Sequence, residues 1–183
     1  MVGPCLCGDP ECGFCGFPGS GGPLIPSKIT LVAAIGYGNG IGSRGRLPWQ
    51  LPEDLKRFRA ITMGHHCVVG YRTYIGMPYL DGRTTHVVPQ HGTLSPARFE
   101  QFLEDLASDE IDEIMVIGGA RVYEVAMPFA THLELTRVGI QLPAGTYDAF
   151  FPEVDWTEWN MLNQEYPEDD HRLAFWSLEK KYD

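Results

Sequence analysis

The sequence has no apolar run approaching the roughly 20 residues that a bilayer-spanning helix needs, so it holds no candidate membrane span. Positive charge is scarce: 14 Lys and Arg stand against 24 Asp and Glu, a formal net charge of −10. That balance argues against a sequence-independent grip on nucleic-acid phosphates and favours a small ligand as partner. Cysteine is nearly missing from the body of the chain, where only Cys67 follows Cys15. The first 27 residues lack the basic start and apolar run of a secretory signal, so the expected location is cytoplasmic, where thiols stay reduced. No strict triplet orders the 21 glycines, which excludes a collagen-like chain, and no internal repeat is present.

What is present suits one globular domain with a tail. The chain has 183 residues, 44% hydrophobic and 21% charged, too apolar for a disordered protein. Residues 1–27 read as a Gly- and Pro-rich tail, with Pro18-Gly-Ser-Gly-Gly-Pro23 as a linker, and residues 28–183 as the domain. The tail carries Cys5-Leu-Cys7 and Cys12-Gly-Phe-Cys15. Two thiolate pairs can close a tetrahedral zinc site, but the four residues between these pairs are fewer than in zinc ribbons. No bound metal is therefore expected, and Cys5, Cys7, Cys12 and Cys15 stand only as candidate ligands.

From residue 28 strands and helices alternate. Ile29–Ile35 is a short continuous apolar run, as a strand buried on both faces requires. Similar runs lie at 66–69, 85–88 and 114–117. Ser95 reads as an N-cap before Pro96, and Phe99, Phe102, Leu103 and Leu106 repeat at helical spacing. Val122, Val125, Ala126 and Phe129 do the same after Gly118-Gly119, and another helix starts near Pro52. Residues 132–140, 156–165 and 172–181 read as strands, the last two forming a hairpin across Pro167–Asp170. The expected class is α/β: a central, mostly parallel twisted sheet flanked by helices, closed by a C-terminal antiparallel hairpin.

Four segments carry chemistry. Gly36–Gly45 has alternate glycines rather than a complete G-x-G-x-x-G fingerprint, and reads as a mobile loop beside the end of a strand. In Leu47-Pro-Trp-Gln-Leu-Pro-Glu-Asp54, two prolines stiffen a helix entrance and Asp54 falls in the first turn. Helix-start electrostatics alone accounts for a carboxylate there, yet Leu51, Leu55 and Phe58 give it apolar neighbours, and an acid in such a pocket can bind a protonated nitrogen heterocycle. In Val116-Ile-Gly-Gly-Ala-Arg-Val-Tyr123 a strand runs through a glycine pair into a helix, a shape that lets a pyrophosphate approach backbone N–H groups. Gly82-Arg83 places a guanidinium fork before a strand, suited to a ligand carboxylate.

Taken in order, the Ala33-Ala34 strand end, Ile41-Gly42, Leu47-Pro-Trp-x-Leu-Pro-x-Asp54-Leu-x-x-Phe58, Gly70, Thr73, Gly82-Arg83, Ile117-Gly-Gly-Ala-Arg-Val-Tyr123, Leu135-Thr136 and Tyr147-Asp148-Ala-Phe-Phe-Pro152 resemble dihydrofolate reductase from Ile29 to Tyr182. The resemblance implies an NADPH-dependent oxidoreductase that reduces 7,8-dihydrofolate to 5,6,7,8-tetrahydrofolate, acting as a monomer, with no nucleic acid or membrane partner. It implies that Asp54 holds the pterin and promotes its protonation, while Leu47 and Trp49 close the lid and Asp148 hydrogen-bonds that lid. Val32, Ala34, Leu55, Phe58, Ile117 and Thr136 would surround the substrate, and Arg83 would grip its glutamate carboxylate. Ala34, Ile41, Gly42, Arg72, Thr73, Gly118, Gly119, Ala120, Arg121, Val122 and Tyr123 would hold the cofactor.

The chain departs from the family pattern at Tyr71, Met77, Pro89, Gln90 and Ala149, which leaves the preference for NADPH over NADH open. Two other readings share these residues: a pyrimidine reductase of riboflavin synthesis on the same fold, and a non-catalytic folate- or nucleotide-binding protein. Pro48-Trp49 with Asp54 and Phe58 suits a pterin better than a pyrimidine, and an intact Asp54 argues against a mere binding module.

Overall fold

The computed structural model describes residues 25–89, 93–107 and 111–181. The four tail cysteines and Gln90 lie outside the described residues. The apolar run after Ser27 becomes β1 (Lys28–Ile35), buried along nearly its whole length. It lies between β5 (Glu113–Val116) and β6 (His132–Val138), parallel to both. β3 (His66–Gly70) and β4 (Thr84–Val88) extend the parallel sheet on one side. On the other side β9 (Leu173–Lys180) runs antiparallel to β6, and β8 (Trp159–Glu165) antiparallel to β9. The order β4-β3-β5-β1-β6-β9-β8 is the expected mostly parallel sheet with its closing hairpin.

Period-two alternation divides the side chains between two faces. Ile29, Leu31, Ile35 and Val68 join Phe99 and Leu103 of α3 (Pro96–Ala107) and Val122 and Val125 of α4 (Ala120–Ala126) in one core. Val32, Cys67, Val69, Met115 and Ile117 form the other, against Phe58 and Ile61 of α1 (Pro52–Thr62). Phe99, Leu103 and Leu133 are fully buried; each such side chain contributes about 1.5–3 kcal/mol relative to exposure. Ser95 caps α3 as expected, its Oγ accepting from Arg98 N at 3.3 Å.

Several boundaries differ from the periodic reading. α4 stops at Ala126 and continues only as a 3-10 turn, Met127–Phe129, because Pro128 has no N–H with which to extend the α pattern. The strand expected from Trp156 begins at Trp159, since Asp155 accepts from Thr157 N at 3.0 Å and caps a 3-10 turn over Trp156–Glu158. A short helix, α2 (Tyr71–Tyr74), was not expected.

The largest correction concerns residues 36–45. Instead of an irregular loop they form a 3-10 turn at Tyr37–Asn39, then β2 (Gly40–Gly42), which pairs with β7 (Ala149–Phe150). A two-residue hairpin follows: Ser43 N donates to Arg46 O at 2.8 Å and Arg46 N returns to Ser43 O at 3.0 Å. Both central residues, Arg44 and Gly45, have positive φ, as the tight hairpin turn requires.

Candidate active site

The parallel strands β1, β3 and β5 end at the same edge of the sheet, where open α/β sheets bind ligands. α1 lies along one face there because Pro52 fixes its first turn and Glu53 and Asp54 favour its N-terminus. A cleft of about 360 Å³ opens between the helix and the segment before it, lined by Leu47, Trp49, Gln50, Leu51, Pro52, Asp54 and Leu55.

Asp54 is 8% exposed on the floor of this cleft. Burial pushes its carboxyl above the ordinary carboxylate range, while a hydrogen bond from the Thr136 hydroxyl and the charge of Arg57 pull it back. A carboxyl shifted in this direction holds a proton more readily than an exposed one, while its oxygens still accept hydrogen bonds. The apolar surround is uneven: Leu51 is buried at 2%, whereas Leu55 is 58% and Leu47 49% exposed at the cleft mouth. Trp49 is buried on the adjoining wall, with an Nε1 that has no hydrogen-bond partner among the described residues.

The other candidates fall into three groups. Val32, Ile117 and Phe58 belong to the core on the α1 face, with Ala34 two residues beyond Val32 on the same side of β1. Arg83 sits beside the C-terminal end of α1. Its Nη1 donates to Thr62 Oγ1 and its Nε to Asp81 O, each at 3.2 Å, and its guanidinium stands 5.9 Å from the Phe58 ring centroid. Gly70, α2 and the 117–123 segment meet on the neighbouring edge, where Gly70 N donates to Gly118 O at 2.7 Å. Gly118 has φ +105°, which an L side chain rarely adopts, and a Cβ there would strike the Tyr123 ring at 2.9 Å. The Gly118–Gly119 peptide is cis.

Three of the residues assigned to the cofactor turn their side chains inward. Ile41 and Val122 are core residues, and buried Tyr123 donates its hydroxyl to Val32 O at 2.6 Å. They can present only backbone to a ligand. Gly42 is engaged through its carbonyl, which accepts from Asp148 N at 3.0 Å. Asp148 Oδ2 also accepts from Arg44 N at 2.7 Å, holding the hairpin down as the resemblance implies.

On the open edge, Thr73 Oγ1 lies 2.8 Å from where a Cβ on Gly119 would stand, so hydroxyl and glycine backbone border one space. Arg72 is exposed beside it, and Arg121 reaches Glu124 Oε2 at 2.6 Å and Leu94 O at 3.0 Å. A hydroxyl, close backbone and two guanidinium groups suit the phosphates of a dinucleotide.

Sequence reasoning missed Thr62 and Arg57, and gave Tyr147 no role of its own. Thr62 carries no motif; it matters because its hydroxyl, donating to Phe58 O at 2.6 Å, also accepts from Arg83. The Tyr147 ring packs where Cβ atoms on Gly36 and Gly40 would go.

A family model described as dihydrofolate reductase matches residues 28–180. The dihydrofolate reductase of Neisseria meningitidis serogroup A is 36% identical over 140 residues, covering 72% of this chain and 83% of that protein. That of Mycobacterium tuberculosis (strain H37Rv) is 39% identical over 137 residues, covering 72% and 84%. That of Haemophilus influenzae is 33% identical over 154 residues, covering 80% and 92%. Among solved structures, dihydrofolate reductase from Enterococcus faecalis complexed with NADP(H) and RAB-propyl matches with a TM-score of 0.69 at 24% identity, over 86% of this chain and 99% of that one.

Proposed function

The chain belongs to the dihydrofolate reductase family, and from that membership we infer that it reduces 7,8-dihydrofolate to 5,6,7,8-tetrahydrofolate with NADPH, through the cleft at Asp54. The observation that carries the reading is a buried carboxyl on a helix's first turn, hydrogen-bonded by Thr136 and opening into a cleft of about 360 Å³. We assign residues 28–183 as the catalytic domain, preceded by a tail of residues 1–27, and take the monomer as the working unit because one chain supplies every element of the site.

NADPH, when bound, supplies the hydride. The protein's share is to hold the two rings together, exclude water and deliver one proton. Asp54 accepts hydrogen bonds from the pterin's amino and ring nitrogens and favours protonation of the ring nitrogen beside the carbon that receives hydride. Thr136 fixes the carboxyl's orientation. Val32, Ala34, Leu55, Phe58 and Ile117 supply apolar walls, and Trp49 lines the cleft beside Asp54. Leu47 covers its mouth.

At the far end Arg83 is pre-set by Thr62 and Asp81 to receive the glutamate carboxylate. Gly118, Gly119 and Ala120 offer close backbone to the dinucleotide, joined by backbone at Ile41, Gly42, Val122 and Tyr123. Thr73, Arg72 and Arg121 face its phosphates.

Initial rates with dihydrofolate, run side by side with NADPH and NADH, test the reading. NADPH should be consumed only when dihydrofolate is present, and faster than NADH. Binding of both ligands without turnover would overturn it.

A further inference from the structure

Behind the cleft wall a second set of charges bears on α1. Asp54 and Arg57 are three residues apart, so both leave the same side of the helix. β6 presents Glu134 and Thr136, two residues apart, on one face of its strand. Helix and strand are thus joined by two rungs. Thr136 hydrogen-bonds Asp54, and Arg57 Nη2 donates to Glu134 Oε2 in an ion pair.

β9 backs the second rung. In register, Phe175 lies opposite Thr136 and Ser177 opposite Glu134. Ser177 Oγ donates to Glu134 Oε2 at 2.8 Å, and the Arg57 guanidinium carbon stands 5.0 Å from the Phe175 ring centroid. The Arg57 side chain is 13% exposed and that of Glu134 23%. A hollow of about 320 Å³ lies beyond them, with Asn163 and Glu165 on its border.

An exposed ion pair would do little here. A clamp required only for packing could be apolar at no loss of stability. A half-buried guanidinium one helical turn from the reacting acid is different, because its field is weakly screened there.

The remaining groups around Asp54 add little opposing charge. On α1, Glu53 and Lys56 pair with each other at 2.6 Å. From α4, Tyr123 is held neutral by burial, its phenol pushed well above the usual range. β9 contributes the neutral Phe175 and Ser177, while β8 contributes Glu165 at the border of the hollow.

Resting on the reductase reading above, we propose that Arg57 is a positioning residue for the proton step: its guanidinium sets how readily the Asp54 carboxyl binds a proton, and Glu134 divides that charge between Asp54 and itself. A neighbouring opposite charge at a half-buried site changes a carboxyl's protonation equilibrium by about tenfold or more.

The step consumes a proton, so its rate falls on the alkaline side of the profile. Removing Arg57 lets Asp54 hold its proton to higher pH. Neutralising Glu134 gives Asp54 the undivided positive charge and has the opposite effect.

The test is the pH profile of hydride transfer with saturating dihydrofolate and NADPH, together with a carboxyl NMR titration of Asp54 in the ligand-free protein. Arg57→Met should move the alkaline limb up by about one pH unit, tenfold in rate on that limb, and Glu134→Gln should move it down. Arg57→Lys should restore most of the wild-type profile. KM for dihydrofolate should change less than about threefold, as neither side chain lines the Asp54 cleft.

Limbs that stay in place, or that move the same way in both variants, overturn the proposal and leave a packing clamp. If Arg57→Met does not fold, Glu134→Gln decides alone. Absent wild-type turnover strikes the reductase reading instead, and the carboxyl titration still reports on Arg57.

Discussion

Gly40→Ala is a clean perturbation of β2. Gly40 has φ −65° and ψ 130°, a conformation alanine adopts freely, so the backbone adds no cost. The cost is steric: a Cβ there would lie 2.2, 2.3 and 2.5 Å from Cγ, Cδ1 and Cδ2 of Tyr147. The ring cannot simply retreat. It also fills the space of a Gly36 side chain, and it sits edge-on to Trp49 with centroids 6.1 Å apart.

Overpacking typically costs about 1–3 kcal/mol, and an overlap beyond 1 Å with ring carbons belongs at the upper end. About 3 kcal/mol lowers the melting temperature of a domain this size by about 6–12 °C. Relief by ring displacement would strain the β2–β7 pairing at Gly40↔Phe150 and shift Trp49 at the cleft wall, so turnover should fall with stability.

The assay is thermal unfolding and initial rate for Gly40→Ala, Tyr147→Ala and the double variant. On the Tyr147→Ala background the same change should cost under about 1 kcal/mol, a coupling of about 2 kcal/mol. Equal costs on both backgrounds would refute the packing of Tyr147 described above.

Asp54→Asn should lower turnover at pH 7 by at least about a hundredfold while cofactor affinity changes less than about threefold, measured by single-turnover kinetics and NADPH fluorescence titration; matched losses would count against the assigned role. The same variant should melt higher than wild type at pH 7. Burial raises the folded-state pKa of Asp54, so the native protein loses stability as pH climbs from the unfolded carboxyl's range towards the folded value, and Asn removes that loss; the gap should close below about pH 4. Arg83→Leu should raise KM for dihydrofolate about 10- to 100-fold through loss of a charge-assisted pair, with kcat nearly unchanged; a fall confined to kcat would place Arg83 elsewhere. Removal of residues 1–24 should leave kcat/KM unchanged, while a further cut through Ile25 should lower the melting temperature, because Ile25 packs against the core.

The elements legible in the sequence were those whose burial is set by local pattern. β1 reads as an apolar run because both its faces are covered, and α3 as a spaced series because one face is. Asp54 was legible because its surroundings are contiguous: Leu51, the prolines and Phe58 lie within a few residues of it. The β2–β7 pair was not, since three residues of strand carry no period and their partner lies more than a hundred residues away. The Arg57–Glu134 rung was hidden for the same reason: an arginine on a charged helix reads as solvated until the register of β6 and β9 buries it. Glycine at 36 and 40 suggested mobility when read alone. The Tyr147 ring occupies the space of their missing side chains and gives both glycines a packing role.

On the proposed reading, one helix sets the distance between the two side chains assigned to the ends of the ligand, Asp54 and Arg83. Asp54 lies in the first turn of α1 and Thr62, which holds Arg83, ends it. Eight residues at the helical rise separate the acid from the arginine's anchor by about 12 Å. The two ends also differ in sign. A carboxylate at the N-terminus and a guanidinium beside the C-terminus each complement the helix dipole, so the arrangement that suits α1 also suits a ligand with a basic heterocycle at one end and a carboxylate at the other. Because that spacing is fixed by backbone hydrogen bonds and by the packing of Phe58 and Ile61 on Val32 and Cys67, it does not depend on loop conformation. On the proposed reading, acid and anchor thus share one helix, while Trp49 lines the cleft from the segment that precedes it.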